Sequence, residues 1–226
     1  MGSNPSPRTL PGGSRGGPNA LEQLHDGGAF LRPPVLPFPR DSSPRFVTQR
    51  THIEPLEEDH APELFRALSD PRIYEFLPED PPASEAELRA RIQRWARGPG
   101  TATREHWFNW AIRLMGERAV VGSLQATVDL NERQASVAYL LTPKFWGQGI
   151  AREALIPLLA WLRSRADVSE VIAVVDSRNV RSLNLVDRLG FELVRTVRHA
   201  DFFKGSWSDE QTLRWAGSHR SETTGD

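Results

Sequence analysis

The sequence predicts an α+β fold built on one central mixed, mostly antiparallel sheet flanked by helices, and three observations predict it. Strand-like runs at His106–Leu114, Ala119–Asp129 and Arg133–Leu141 follow one another through short turns, as an antiparallel meander does. The last run feeds a long amphipathic helix, after which a short apolar run, Val171–Val175, returns; that is the pattern of a parallel crossover. The full order, β-α-α-β-β-β-α-β-α-β-β, puts both kinds of connection in one sheet.

Residues 1–44 hold half of the chain's 18 prolines and the pairs Gly12-Gly13, Gly16-Gly17 and Gly27-Gly28. Such a segment has little apolar surface to bury and is expected to be a disordered extension. The domain is expected to span residues 45–217, with a polar tail at 218–226. Phe46–Pro55 alternates as a first strand. Glu57–Leu68 forms a helix with Leu64, Phe65 and Leu68 inward and Asp59 as an early-turn acid. The proline-punctuated loop from Ser69 to Ser84 is long enough to wall a substrate. Ser84, with Glu87 three residues on, makes a capping box for the helix Glu85–Arg97. Gly98-Pro99-Gly100 breaks the chain before the meander.

The chain is organised around the stretch Ser136–Ala166. A buried strand, Val137–Leu141, stops at Pro143, turns at Gly147 and Gly149, and starts a helix at about Gly149. Ile150, Ala151, Ala154, Leu155, Leu158, Leu159 and Leu162 fall on one face of it, the period of a helix lying on a sheet. Pro157 sits inside this helix with no function evident from sequence. The first-turn N–H groups lack intrahelical partners and lie at the positive end of the macrodipole, which suits a diphosphate. A Cβ at either glycine would hold an anion off those amides. The same strand, glycine turn and helix also serve plain αβ packing, so two readings stand at this point. After Val171–Val175, which reads as buried on both faces, the helix Asn179–Leu189 ends at Gly190, and Phe191–Arg198 and Glu210–Ala216 complete the sheet.

Composition excludes several classes. A net charge of −1 and a pI near 6.6 do not fit a dedicated nucleic-acid binder. No apolar run is long enough to span a bilayer, and the N-terminus lacks a basic-then-apolar secretory pattern; a cytoplasmic protein is expected. The absence of cysteine excludes disulfides, thiolate metal sites and a cysteine nucleophile. The six histidines show no metal-binding spacing, so no metal is expected.

Three strings together carry a family resemblance: WGQGIA at Trp146–Ala151, DSRNVRSLNLVDRLGFELV at Asp176–Val194, and SDPRIYEFLP at Ser69–Pro78. They resemble the Gcn5-related N-acetyltransferase (GNAT) superfamily, and within it the ribosomal-protein alanine and serine N-acetyltransferases. Of the superfamily loop Q/R-x-x-G-x-G/A, Gly149 and Ala151 match the last two fixed positions, while Trp146 replaces Gln or Arg. The likeness runs from Val47 to Trp215 and implies acetyl-CoA as donor, a primary amine as acceptor, and direct attack in a ternary complex.

On that resemblance, Tyr139, Leu140 and Leu141 would pair main-chain groups with the pantetheine arm, and Gly147, Gln148, Gly149, Ile150 and Ala151 would cradle the diphosphate. Asn179 would reach the pantetheine or adenosine half, or serve only as an N-cap. Ser182 would donate to the leaving thiolate; a helix serine bonding back to a carbonyl is its plainer role. Asp201 is the expected general base, through water because aspartate is short, with Glu79, Asp80 and His106 in reserve. Trp107, Trp110, Trp207 and Trp215 read as core rather than pocket. The acceptor is expected to be a protein N-terminus or a small amine, the acidic loop Glu75–Asp80 suiting a cation, and the chain a monomer or homodimer. A module that holds coenzyme A without turnover is the remaining reading.

Overall fold

Every pair of neighbouring strands but one runs antiparallel. The structure is a computed structural model describing residues 43–99, 103–117, 119–165 and 167–217. The expected extension, 1–44, lies outside the described residues save for Ser43 and Pro44, and the tail 218–226 lies outside them entirely. In chain order the elements are β1 (Phe46–Val47), β2 (Thr51–Pro55), α1 (Ala61–Leu68), α2 (Glu85–Arg97), β3 (Glu105–Leu114), β4 (Val120–Asp129) and β5 (Gln134–Leu141). There follow α3 (Ile150–Ser164), β6 (Glu170–Asp176), α4 (Val180–Arg188), β7 (Phe191–Phe203) and β8 (Ser206–Trp215). The sheet order is β1-β2-β3-β4-β5-β6-β8-β7, the mixed α+β sheet expected.

The exception is the parallel pair β5–β6, joined only at Gln134–Glu170, Ala135–Val171 and Ser136–Ile172. Beyond Ser136 the two strands part, and the second half of β5 has no neighbour on that side. A parallel join needs a crossover, and α3 supplies it. Its buried Ile150, Ala154, Leu155, Leu158, Leu159 and Leu162 share one core with Phe108, Trp110, Ile112 and Leu124. On the other face α1 and α2 pack on β3, β4 and β5 through Leu64, Leu68, Leu88 and Ile92. Strand β4 lies very close to β5: a Cβ at Gly122 would stand 2.2 Å from the Leu140 carbonyl oxygen.

Four expectations need correction. Phe46–Pro55 is two strands, because Thr48 hydrogen-bonds the Thr51 backbone (N–H to Oγ1, 2.9 Å) and turns the chain. The first helix proper starts at Ala61, after a 3₁₀ turn at Glu58–His60, with Pro62 in the first turn, where the missing N–H costs little. Strand β6 is not buried on both faces throughout: Val171, Ala173 and Val175 are buried, whereas Val174 on the other face is 51% exposed. Strands β7 and β8 reach further than predicted, to a tight turn at Lys204 and Gly205, both with positive φ. A bulge around His199 (φ 50) interrupts the alternation there. The Ser84 cap and α2 fall where predicted, with Ser84 Oγ accepting the Glu87 N–H at 3.1 Å. The return arm goes from the Ala83 N–H to Glu87 Oε2, at 2.8 Å.

Candidate active site

The strand end becomes a helix start through a chain of local hydrogen bonds. The Trp146 indole N–H donates to the Leu141 carbonyl at 2.7 Å, and the Gln148 side-chain amide donates to the Lys144 carbonyl at 2.8 Å. Gly147 and Gly149 both take left-handed backbone, φ 71 and 76, and Gly149 is the N-cap of α3. Glycine is thus required here by conformation as well as by close approach. The turn before β2 braces the loop from outside. Arg50 donates to the Gln148 carbonyl (2.9 Å) and to Glu153, which also takes the Thr48 hydroxyl. Burial pushes the Glu153 carboxyl up, but the bonds from Thr48 and Arg50 outweigh it and hold the group below its usual range. The N–H groups at the start of α3 are left aimed past the end of β5.

The free edge of β5 has a definite phase. The Thr142 N–H bonds the Val121 carbonyl, so by strand alternation the peptide groups of Leu140 also turn to β4. Those of Tyr139 and Leu141 face the gap, where Trp146 takes the Leu141 carbonyl. The Leu140 groups face β4, and its side chain packs with the α1–α2 core.

Across the gap, α4 begins at Asn179, whose Oδ1 caps the Ser182 N–H at 3.1 Å. The cap uses Oδ1 alone. Ser182 Oγ lies 2.5 Å from the Tyr139 hydroxyl, so a pair of hydroxyls joins β5 to α4 across the gap. Burial pushes the Tyr139 phenol up to about 12, against a smaller pull from Ser182. This pair was not expected: Tyr139 was assigned only its main chain. Its sequence signal was slight, one of two tyrosines in the chain, standing in an apolar strand.

On the opposite face of the sheet, the loop after α1 and the β7–β8 hairpin stand together. Asp176, at the end of β6, accepts from Arg178 (Nε 2.9 Å, Nη2 2.6 Å) and from Ser208 (2.7 Å). Arg178 also donates to Ser206 and lies over the rings of Phe76 and Phe203. Asp201 is in β7, opposite Ser208, and so on the same face as Asp176; its Oδ1 accepts the Phe202 N–H at 2.9 Å. Asp80 is exposed beside Lys204. His106 pairs with Val128, which pairs with Ala135, about 13 Å along the sheet from the level of Tyr139. Trp110 is core, Trp107 and Trp215 are half-buried, and Trp207, 55% exposed, is not core.

Burial works to raise the Asp176 carboxyl, but Arg178 and Ser208 hold it below the usual 3.8. A depressed pKa stabilises the fold above the unfolded-state value, and the gain is lost as pH falls through the folded-state value. Asp176→Asn is accordingly expected to lower the melting temperature near neutrality. Its difference from the wild type should shrink below about pH 4, as thermal melts across pH would record.

A glycine-initiated helix beside a half-unpaired strand, with hydroxyls across the gap, is an arrangement open to an anion and to an extended chain. Residues 50–192 match the family model for the acetyltransferase (GNAT) domain, and the chain belongs to that family. It is 25% identical over 165 residues to the uncharacterized N-acetyltransferase p20 of Bacillus licheniformis, covering 72% of this chain and 90% of that one. The fold is similar to RimL, a ribosomal L7/L12 α-N-protein acetyltransferase solved with coenzyme A, at 20% identity and a TM-score of 0.67, covering 75% and 95% of the two chains. A GNAT-family acetyltransferase of Bacillus anthracis gives 18% identity and 0.63, with 75% and 96% covered. Among the described residues, no group of three or more His, Asp or Glu side chains gathers to hold a metal ion, and no helix is long and apolar enough to cross a membrane.

Proposed function

We propose that residues 45–217 form an acetyl-CoA-dependent N-acetyltransferase domain of the RimJ/RimL-like branch, acting on a protein N-terminal amine by direct attack in a ternary complex. The hydroxyl pair Tyr139–Ser182, joining β5 to α4 beside the glycine-started helix, carries this reading. Acetyl-CoA supplies the activated acyl group, and the residues present fit it. Gly147, Gln148, Gly149, Ile150 and Ala151 offer main chain to the diphosphate, without a Cβ at the two left-handed positions. Tyr139, through both its main-chain groups, and Leu141, through its N–H, offer a strand edge to the pantetheine arm. Asn179 keeps its Nδ2 for the same arm while its Oδ1 caps α4.

The chemistry needs a neutral amine, a held oxyanion and relief for the leaving thiolate. Asp201 takes the amine's proton through water. Main-chain N–H groups at the end of β5 steady the oxyanion. Burial raises the Tyr139 phenol well above a thiol's pKa of about 8.5, so a hydrogen bond to the thiolate is favoured over full proton transfer. Ser182 holds the thiolate by that hydrogen bond, and Tyr139 orients Ser182.

Ser182→Ala is expected to lower kcat about tenfold to a hundredfold, the size of one hydrogen bond to a charged group. Asp201→Asn should cost about a hundredfold or more. Both should leave the Kd for acetyl-CoA unchanged. Steady-state kinetics with calorimetry, on the best acceptor from a screen of N-terminal peptides and small amines, makes the test. Wild-type rates in both variants would remove both roles. Acetyl-CoA that raises the melting temperature while no amine is acetylated would leave only a binding module.

A further inference from the structure

Of the chain's 28 Lys and Arg side chains only two are lysines, Lys144 and Lys204. Lys144 makes a loose, exposed pair with Glu117. Lys204, at the tip of the β7–β8 hairpin, is placed quite differently. Its Nζ donates to the carbonyls of Tyr74 (2.9 Å), Leu77 (2.6 Å) and Glu79 (2.8 Å), with the Asp80 carboxylate at 3.6 Å. An ammonium has three N–H bonds and no acceptor, so three converging carbonyls use it fully; the planar fork of arginine cannot meet them in the same way.

Those carbonyls belong to the loop after α1, and the same loop reaches the other wall of the site. Arg181, next to Ser182, stands 3.9 Å from Glu75 and lies over the Trp146 ring. Arg178 adds a second tie, to Ser206 and between the rings of Phe76 and Phe203. The loop therefore runs from the first turn of α4 to the hairpin tip, three residues from Asp201.

We infer that Lys204 determines acceptor specificity: by fastening residues 74–80 to the hairpin, it fixes the width of the entrance through which an amine reaches Ser182 and Asp201. As regards the acceptor, this rests on the acetyltransferase reading above. Lys204 touches no reacting atom and is a positioning residue.

Two measurements on the full chain test it. In Lys204→Met, hydrogen exchange at residues 74–80 is expected to quicken about tenfold or more, the loss of charge-assisted bonds, with the Kd for acetyl-CoA unchanged. Kinetics then compares two peptides with a free N-terminal serine, one followed by alanines and one by tryptophans. The wild type should favour the slender peptide. Lys204→Met should narrow that preference about tenfold through the acceptor KM alone, and Lys204→Arg should restore part of it. Unchanged exchange in a folded Lys204→Met overturns the proposal, as does an equal rise in donor and acceptor KM. If the wild type acetylates neither peptide, the N-terminal-amine reading fails separately, and exchange alone decides whether Lys204 holds the entrance.

Discussion

Gly149→Val is expected to cut acetyl-CoA affinity by at least about a hundredfold, the worth of two or more hydrogen bonds to an anion. Gly149 caps α3 at φ 76, a conformation costing an ordinary residue roughly 1–2 kcal/mol and a β-branched one more. A Cβ would find only Arg50 Nη2 at 3.4 Å, an ordinary contact with the end of a flexible side chain, so the conflict lies in the backbone. Valine resolves the conflict by leaving the left-handed region, which turns the amides of Ile150 and Ala151 away from their shared point. Calorimetry reads the affinity, and a thermal melt shows how much of the fold remains. A valine variant that binds acetyl-CoA as the wild type does would mean that the start of α3 is not the seat of the diphosphate.

Gly122→Ala should have the largest effect on stability, about 3 kcal/mol, the upper end of the range for overpacking. The added Cβ would lie 2.2 Å from a backbone oxygen, Leu140 O, and no side chain can swing aside to admit it. Either β4 or β5 must shift, and β5 carries Tyr139. For a domain of this size such a loss lowers the melting temperature by roughly 10 °C. Donor binding should weaken with it, because Tyr139 and Leu141 move. An unchanged melting temperature would show that the two strands are not so closely set.

The parts of the fold that were legible in the sequence are those fixed by nearby residues. Ser84 and Glu87 mark the start of α2, and Gly149 that of α3. Asn179 and Gly190 (φ 84) bound α4, because caps and glycine conformations act within a turn. The β7–β8 hairpin was misread because its bulge at His199 destroys the period-two signal on which strand recognition depends. Val174 gave no sign of its exposure, which depends on what packs over the sheet rather than on the strand itself. The site divides the same way. Gly149 and Asn179 stand out locally and Ser182 only through the family resemblance, whereas the Tyr139–Ser182 bond joins residues 43 apart and the Lys204 bonds join residues 125 to 130 apart. Contacts at such range are set by the crossover and by strand pairing, which no single stretch encodes. Leu140 shows the finest limit: an apolar run reveals a strand but not its phase, and the phase comes from β4.

The brief join between β5 and β6 makes the sheet a structure with a seam. Either side is a well-knit ladder, yet the two sides meet edge to edge only from Gln134 to Ser136. Past that point, the Tyr139–Ser182 bond ties β5 to α4, the helix that follows β6. On the proposed reading, a donor lying along the open part would act as a keystone, completing a row of main-chain bonds the chain cannot complete with itself. Occupancy should accordingly brace the whole arch against unfolding, by an amount that grows with the logarithm of donor concentration, so the resting enzyme is the more fragile of its two conditions.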